Sequence, residues 1–191
     1  DGKYFWKDTK LKVATEHRAY SSMDLIRKGM EQLGYRTTTE EDSLLSYSVD
    51  RIDVSSMEGA IPASNVSIKY SGSVTSSYAY DSENENYKRS VNGKSHIDYV
   101  TKEQYTAKNI ITYQVKNSTI SDDIKGRQDL ENVGSGTGYF ISNGYAVPIT
   151  WSKSSRSSKT VYKLIDGTTL KVNDGNTYIQ IQPLGGDLVI S

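Results

Sequence analysis

With 191 residues, the chain has room for one domain or two small ones, and enough length to bury a core without metals or disulfides. Lys+Arg and Asp+Glu number 23 each, so no excess charge exists to hold a phosphate backbone or an anionic membrane, and nucleic acid is not an expected partner. Cysteine is absent, which removes disulfides, thiol nucleophiles and Cys-based zinc or iron–sulfur sites together. No run of about 18 apolar residues occurs, so no segment is expected to cross a membrane as a helix. Tyr is frequent (15), whereas Phe and Trp number 2 each. A ring with a polar tip suits half-buried sheet faces and wet binding surfaces, and sheet packing accounts for most of these tyrosines. The chain opens at Asp1 with neither an initiator Met nor a signal peptide, which reads as a mature or trimmed segment.

Along the chain, one segment predicts a helix. Met23, Ile26, Met30 and Leu33 recur at helical spacing and share one face, giving an amphipathic element. Ser21 or Ser22 can cap its first turn, Asp24 suits the positive end of the dipole, and Gly34 stands where a left-handed cap is expected. Gly29 is its weak position. From about Glu40 to Ser64 the pattern is polar and irregular, with room for short edge strands. Strands are predicted at Asn65–Tyr70, Val74–Tyr80, Tyr87–Val91, Asn109–Val115, Tyr139–Ser142, Tyr145–Trp151, Lys159–Ile165, Thr168–Val172 and Thr177–Gln182. Asn92-Gly93, Asn143-Gly144, Asp166-Gly167 and Asp174-Gly175 supply the turn chemistry of tight hairpins. The C-terminal part therefore predicts an antiparallel meander, curled as a barrel or packed as a sandwich. The fold class is α+β, mainly antiparallel sheet with one N-terminal amphipathic helix. A single domain over residues 1–191 is expected, with a helix-containing part to about residue 64 and a β-rich part from about residue 65.

The candidate chemistry is sparse. Gly134-Ser135-Gly136-Thr137-Gly138 is the most glycine-dense stretch, but a strand follows it rather than the Lys-Ser/Thr and helix of a phosphate loop. It predicts a flexible or bulged turn that still lets a ligand approach the backbone closely. His96 and Asp98, two apart on a strand, share a face that Arg89 can reach across the Asn92-Gly93 turn. That grouping is half of a metal site or an oriented base, or else a hydrogen-bonded hairpin end. His17, beside Glu16 and Arg18, is a weaker candidate that needs partners from elsewhere. The acidic stretches Asp122-Asp123 and Asp81–Asn86 lack the spacing of a calcium loop, and neither Gly-x-Ser-x-Gly nor His-Glu-x-x-His occurs. No metal and no cofactor are expected. Trp151, Tyr145, Tyr162 and Tyr178 are the candidates for stacking on a sugar, with core packing as the alternative for each.

Several stretches in order resemble one family. Tyr87-Lys88-Arg89-Ser90-Val91-Asn92-Gly93-Lys94-Ser95-His96-Ile97-Asp98 resembles its Y-x-R-S-x-N-G-K-x-H-x-D hairpin. Thr106-Ala107-Lys108-Asn109-Ile110 is similar to its T-A-K-N-V strand start, and Val133–Gly138 to its V-G-S-G-x-G turn. Thr150–Lys153 and Gly175–Ile181 match its final hairpins. This is the YerB-like family of bacterial lipoproteins, a domain of unknown function common in Gram-positive bacteria, and the resemblance runs from about Tyr4 to Pro183. It implies an extracytoplasmic protein held at the cell membrane surface by an N-terminal lipid, with a further N-terminal α/β region, both outside this chain. It brings no reaction. His17, Arg89, His96 and Asp98 match the family pattern, while Arg18-Ala19, Ser95 and Tyr178 depart from it.

Residues and resemblance together predict a non-catalytic binding or scaffolding module of a cell-envelope lipoprotein, engaging peptidoglycan glycan, peptide or an envelope protein. The alternative is an envelope hydrolase, with or without a metal, built on His96, Asp98 and Arg89. An enzyme requires His96 and Asp98 to converge with a third polar group in a concave pocket. A glycan binder requires Tyr or Trp faces on a shallow groove.

Overall fold

The structure, a computed structural model, describes residues 2–191. The chain forms two compact units, Asp1–Ser43 and Leu44–Ser191.

In the first unit, α1 (Met23–Leu33) begins and ends where its side chains dictate. Ser22 Oγ accepts from the Leu25 amide at 3.2 Å, satisfying one of the orphan donors of the first turn. At the other end Gly34 is left-handed, and the Tyr35 amide returns to the Met30 carbonyl at 2.9 Å. Gly29 is explained by packing: an added Cβ would lie 3.3 Å from the ring of Tyr4. Met23, Ile26 and Leu33 are all exposed, and within the helix only Gly29 is buried, so the apolar stripe is not a buried face. A short antiparallel pair, Trp6–Lys7 with Ala19–Tyr20, accompanies the helix.

The second unit is built on two six-stranded sheets. Its principal strands are β1 (Asn65–Ser71), β2 (Val74–Asp81), β3 (Asn86–Val91), β4 (Asn109–Val115), β5 (Gly134–Ser142), β6 (Tyr145–Lys153), β7 (Val161–Leu164), β8 (Thr177–Pro183) and β9 (Leu188–Ile190). One sheet runs β7-β6-β5-β4-β8, with Ile61–Pro62 added to β6. The other runs β9-β1-β2-β3 and on to Lys94–Ser95, with Thr106–Ala107 also on β3. In β4 both Ile110 and Ile111 are fully buried, because this strand is covered on both faces. Ile110, Ile141 and Ala146 pack with Val66, Ile68, Tyr78 and Tyr87 of the second sheet. On the opposite face, Ile111, Phe140 and Val147 pack under Val54, Leu170 and Val172.

The predicted strands of the second unit form, except that Thr168–Val172 gives way to a shorter strand at Lys171–Asn173 and an isolated bridge at Thr169, and with two further corrections. First, the C-terminal part is not one antiparallel meander. Asn92-Gly93 and Asn143-Gly144 are tight hairpin turns with positive φ at both positions. Asp174-Gly175 is not a hairpin: it joins Lys171–Asn173, paired parallel to Ser46–Ser48, to β8, paired parallel to β4. In the C-terminal part β5–β6–β7 forms a meander, and β9 crosses to the other sheet. Turn residues specify local pairs, whereas a parallel pair joins strands distant in sequence and leaves no turn signature. Among the described residues the sheets stay open and form no closed barrel. Second, Gly134–Gly138 is the beginning of β5 rather than a turn.

Buried amides tie these layers together. Asn109 Nδ2 donates to the Asn173 carbonyl at 2.8 Å, and the Asn173 amide donates back to Asn109 Oδ1 at 3.2 Å. Asn173 Nδ2 reaches Ser142 Oγ at 3.0 Å, and its Oδ1 accepts from the Ile52 amide at 2.8 Å.

Candidate functional site

The Asn92-Gly93 turn folds His96 back beside Arg89, as the spacing led us to expect. Arg89 Nη1 donates to His96 Nδ1, Nη2 to Ser76 Oγ at 3.0 Å, and Nε to the Tyr78 hydroxyl at 3.3 Å. The same guanidinium lies 5.3 Å from the ring centroid of Tyr178. Asp98 turns to other partners. Its Oδ1 accepts from the amides of Thr101 at 2.7 Å and Val100 at 2.8 Å, and its Oδ2 accepts from the Tyr105 hydroxyl at 2.7 Å. The Thr101 amide first, then the Tyr105 hydroxyl, hold the carboxyl down to about 2. Burial, then the charge of Arg89, push the His96 imidazole below its ordinary value. These bonds describe a neutral imidazole accepting at Nδ1 and a carboxylate that caps its own loop. Both brace the end of a hairpin. Among the described residues no group of three or more His, Asp or Glu side chains is placed to hold a metal ion. His17 is exposed on a 3₁₀ turn, Thr15–Arg18, of the first unit.

The four aromatic candidates do not share a surface. Trp151 and Tyr162 are 4% and 5% exposed and are cross-strand partners on the covered face of their sheet. Both pack on Tyr113, with ring centroids 4.8 and 6.0 Å away. Their faces are taken by the core, which corrects the expectation that they stack on a ligand. Tyr145 is 37% exposed at the start of β6. Tyr178 is half-buried between Arg89 and Tyr78, on the opposite face of the sheet from Trp151.

A different site is built into the same sheet. β4 and β5 pair from Asn109↔Ser142 as far as Tyr113↔Gly138 and then part. They rejoin where the Glu131 amide donates to the Lys116 carbonyl at 2.9 Å, at the base of the hairpin Asn117–Thr119 with Gln128–Leu130. Between these rungs Gln114 and Val115 face Asn132–Thr137 across a cleft of about 650 Å³, within the roughly 300–1,000 Å³ usual for ligand sites.

The glycine run forms one wall and keeps its other edge paired to β6. Its composition follows from close approach: a Cβ on Gly138 would lie 2.3 Å from the Thr112 carbonyl oxygen. The opposite wall is fixed by Gln114. Its Nε2 donates to Gln182 Oε1 at 3.0 Å and to the Gly186 carbonyl at 2.7 Å, and its Oε1 accepts from the Gly185 amide at 3.0 Å. This holds Leu184 and Leu188 against the cleft. Two lining residues carry a buried group without a hydrogen-bond partner, on opposite faces of the sheet: Trp151 Nε1 on the face of Tyr113 and Thr112 Oγ1 on the face of Ile110. Leaving such a group unsatisfied costs about 1–3 kcal/mol. Trp151 thus belongs to a site through its N–H rather than its ring face. The one signal in the sequence was glycine density. Thr112 and Gln114 carried none, since nothing local distinguishes them from ordinary strand residues.

Comparison with known proteins agrees with this fold. Residues 66–179 match the family model described as "Protein of unknown function (DUF3048) C-terminal domain". The chain is 29% identical over 186 residues to "Putative lipoprotein YerB" of Bacillus subtilis (strain 168), covering 96% of this chain and 52% of that protein. It also superposes on the crystal structure of the YerB protein from Bacillus subtilis with a TM-score of 0.75 and 26% identity, over 99% of this chain and 60% of that one. The chain therefore spans about half the length of the curated relative it matches. With the family model matching more than half of its residues, the chain belongs to the family of the DUF3048 C-terminal domain, the YerB-like family that its motifs resemble.

Proposed function

We propose that this chain is a non-catalytic binding domain of a cell-envelope lipoprotein, working outside the cytoplasm, with its ligand held in the cleft between β4 and β5. One observation carries the reading: Trp151, which lines that cleft, has its Nε1 buried and without a partner. Buried polar groups are nearly always satisfied, so an exception at the cleft marks a place where a bound molecule supplies the bond. The extracytoplasmic setting draws on the lipoprotein name of the relative and on the family resemblance. A lipid on a segment outside these 191 residues would tether the domain, and peptidoglycan or an envelope protein would be its partner.

The binding reading is preferred to the hydrolase because of how the polar residues are engaged. His96 Nδ1 is occupied by Arg89, and both Asp98 oxygens are occupied within the hairpin. Co-sedimentation of the chain with purified Gram-positive peptidoglycan tests the proposal. Saturable binding that survives a chelator is expected. No binding would remove the cell wall as partner, and binding lost in chelator would point to a metal-dependent contact instead.

A further inference from the structure

We infer that the cleft takes an uncharged peptide in extended form, which lays its main chain along the free edge of β5 and completes the ladder that β4 leaves open. This rests on the reading of the domain as a binding module and specifies its ligand.

The case starts from the pairing. β5 is bonded to β6 over its whole length, from Gly134↔Lys153 to Ser142↔Tyr145, but to β4 only as far as Gly138. Residues Gly134–Thr137 therefore present a strand edge with no strand beside it. Such an edge is a template for an extended chain, and proteins normally cover it or charge it. Here it lies inside a cleft closed at both ends, by the Tyr113↔Gly138 rung and by the Lys116–Glu131 bond. One chain can enter, while edge-to-edge pairing of whole sheets is blocked.

The wall chemistry selects the occupant. A Cβ on Gly134 would meet nothing within 4 Å, so no side chain there holds an approaching main chain away. The charged residues of the walls, Lys116 and Glu131, neutralise each other at 2.7 Å, which leaves no net field to favour a charged ligand. Val133, Leu184 and Leu188 offer apolar contact. The indole N–H of Trp151 is shielded from water and without a partner, so an atom lodged between the strands on that face satisfies it. Peptide carbonyls recur along an extended chain as acceptors for such donors. An amino sugar would use an open aromatic face, and the rings of Tyr113 and Trp151 are packed on each other.

The test is amide NMR on the full chain, titrated with a blocked neutral peptide, acetyl-Ala-Ser-Val-Ser-amide. The controls are the same peptide N-methylated at alternate residues, and the trimer of N-acetylglucosamine. The two indole N–H signals are separated by Trp6→Phe. Saturable shifts of the Ser135 and Thr137 amides, which face the open side of β5, and of the Trp151 indole are expected with the plain peptide. Affinity should fall at least about tenfold with the N-methylated form and in Val133→Arg, whose side chain is half exposed at the rim. Shifts produced by the sugar trimer and not by the peptide would overturn the inference, as would equal affinity for the methylated form. Binding to whole peptidoglycan with the cleft signals unmoved by peptide would sink the inference and spare the binding-module reading. Failure of both sinks both.

Discussion

The indole nitrogen of Trp151 lies so near the bare α-carbon of Gly136 that a Cβ there would come within 2.8 Å of it. The bulk of the indole stands where a side chain would be, and Tyr113 closes over its face. Gly136→Ala therefore overpacks this corner. We expect a loss of about 1–3 kcal/mol in urea unfolding. Unchanged stability would contradict the close approach.

Thr112 makes the opposite case. Its hydroxyl is fully buried and unpartnered, so Thr112→Val removes a desolvated group while keeping the shape. The free chain should gain about 1 kcal/mol in urea unfolding, because no hydrogen bond is lost with the hydroxyl. A destabilised variant would mean that the hydroxyl already has a partner.

Asn173 stands where the sheet meets its cover. Asn173→Ala takes the acceptor from the part-buried Ile52 amide and the donor from the buried Ser142 Oγ. A loss of about 2–3 kcal/mol is expected, because partners are orphaned as well as bonds removed. Thermal unfolding of the variant checks this, and a loss below about 0.5 kcal/mol would contradict the network.

The Arg89–His96 contact makes a statement about pH. The folded imidazole is held below its ordinary value by burial and by Arg89, so the unfolded chain binds its proton more readily. Stability should fall as pH drops below the unfolded value near 6.5. In an NMR titration His96 should give a midpoint below that value, and Arg89→Gln should raise it. Asp98 adds a second, more acidic step. Its folded value of about 2 lies below the ordinary 3.8, so its contribution is complete above about pH 4 and disappears toward pH 2. A His96 midpoint at or above 6.5 would contradict the geometry.

Sequence alone determined the elements whose causes are local. The spacing of Met23, Ile26, Met30 and Leu33 with caps at Ser22 and Gly34 specifies a helix from local causes, and it forms. Asn92-Gly93 and Asn143-Gly144 have the positive φ angles that tight hairpins require, so β5–β6 and the hairpin bringing Arg89 to His96 were legible. Tertiary structure decided the rest. Which face of a strand is covered depends on what packs there, so Trp151 and Tyr162 entered the core although their pattern also allowed a stacking surface. The parallel pairing of β8 with β4 joins segments with no shared turn. The run Gly134–Gly138 looks like a turn by composition, and becomes strand because its neighbours need the space its side chains lack. The cleft exists only because β4 and β5 part after Tyr113↔Gly138, a property of two strands together that neither carries by itself.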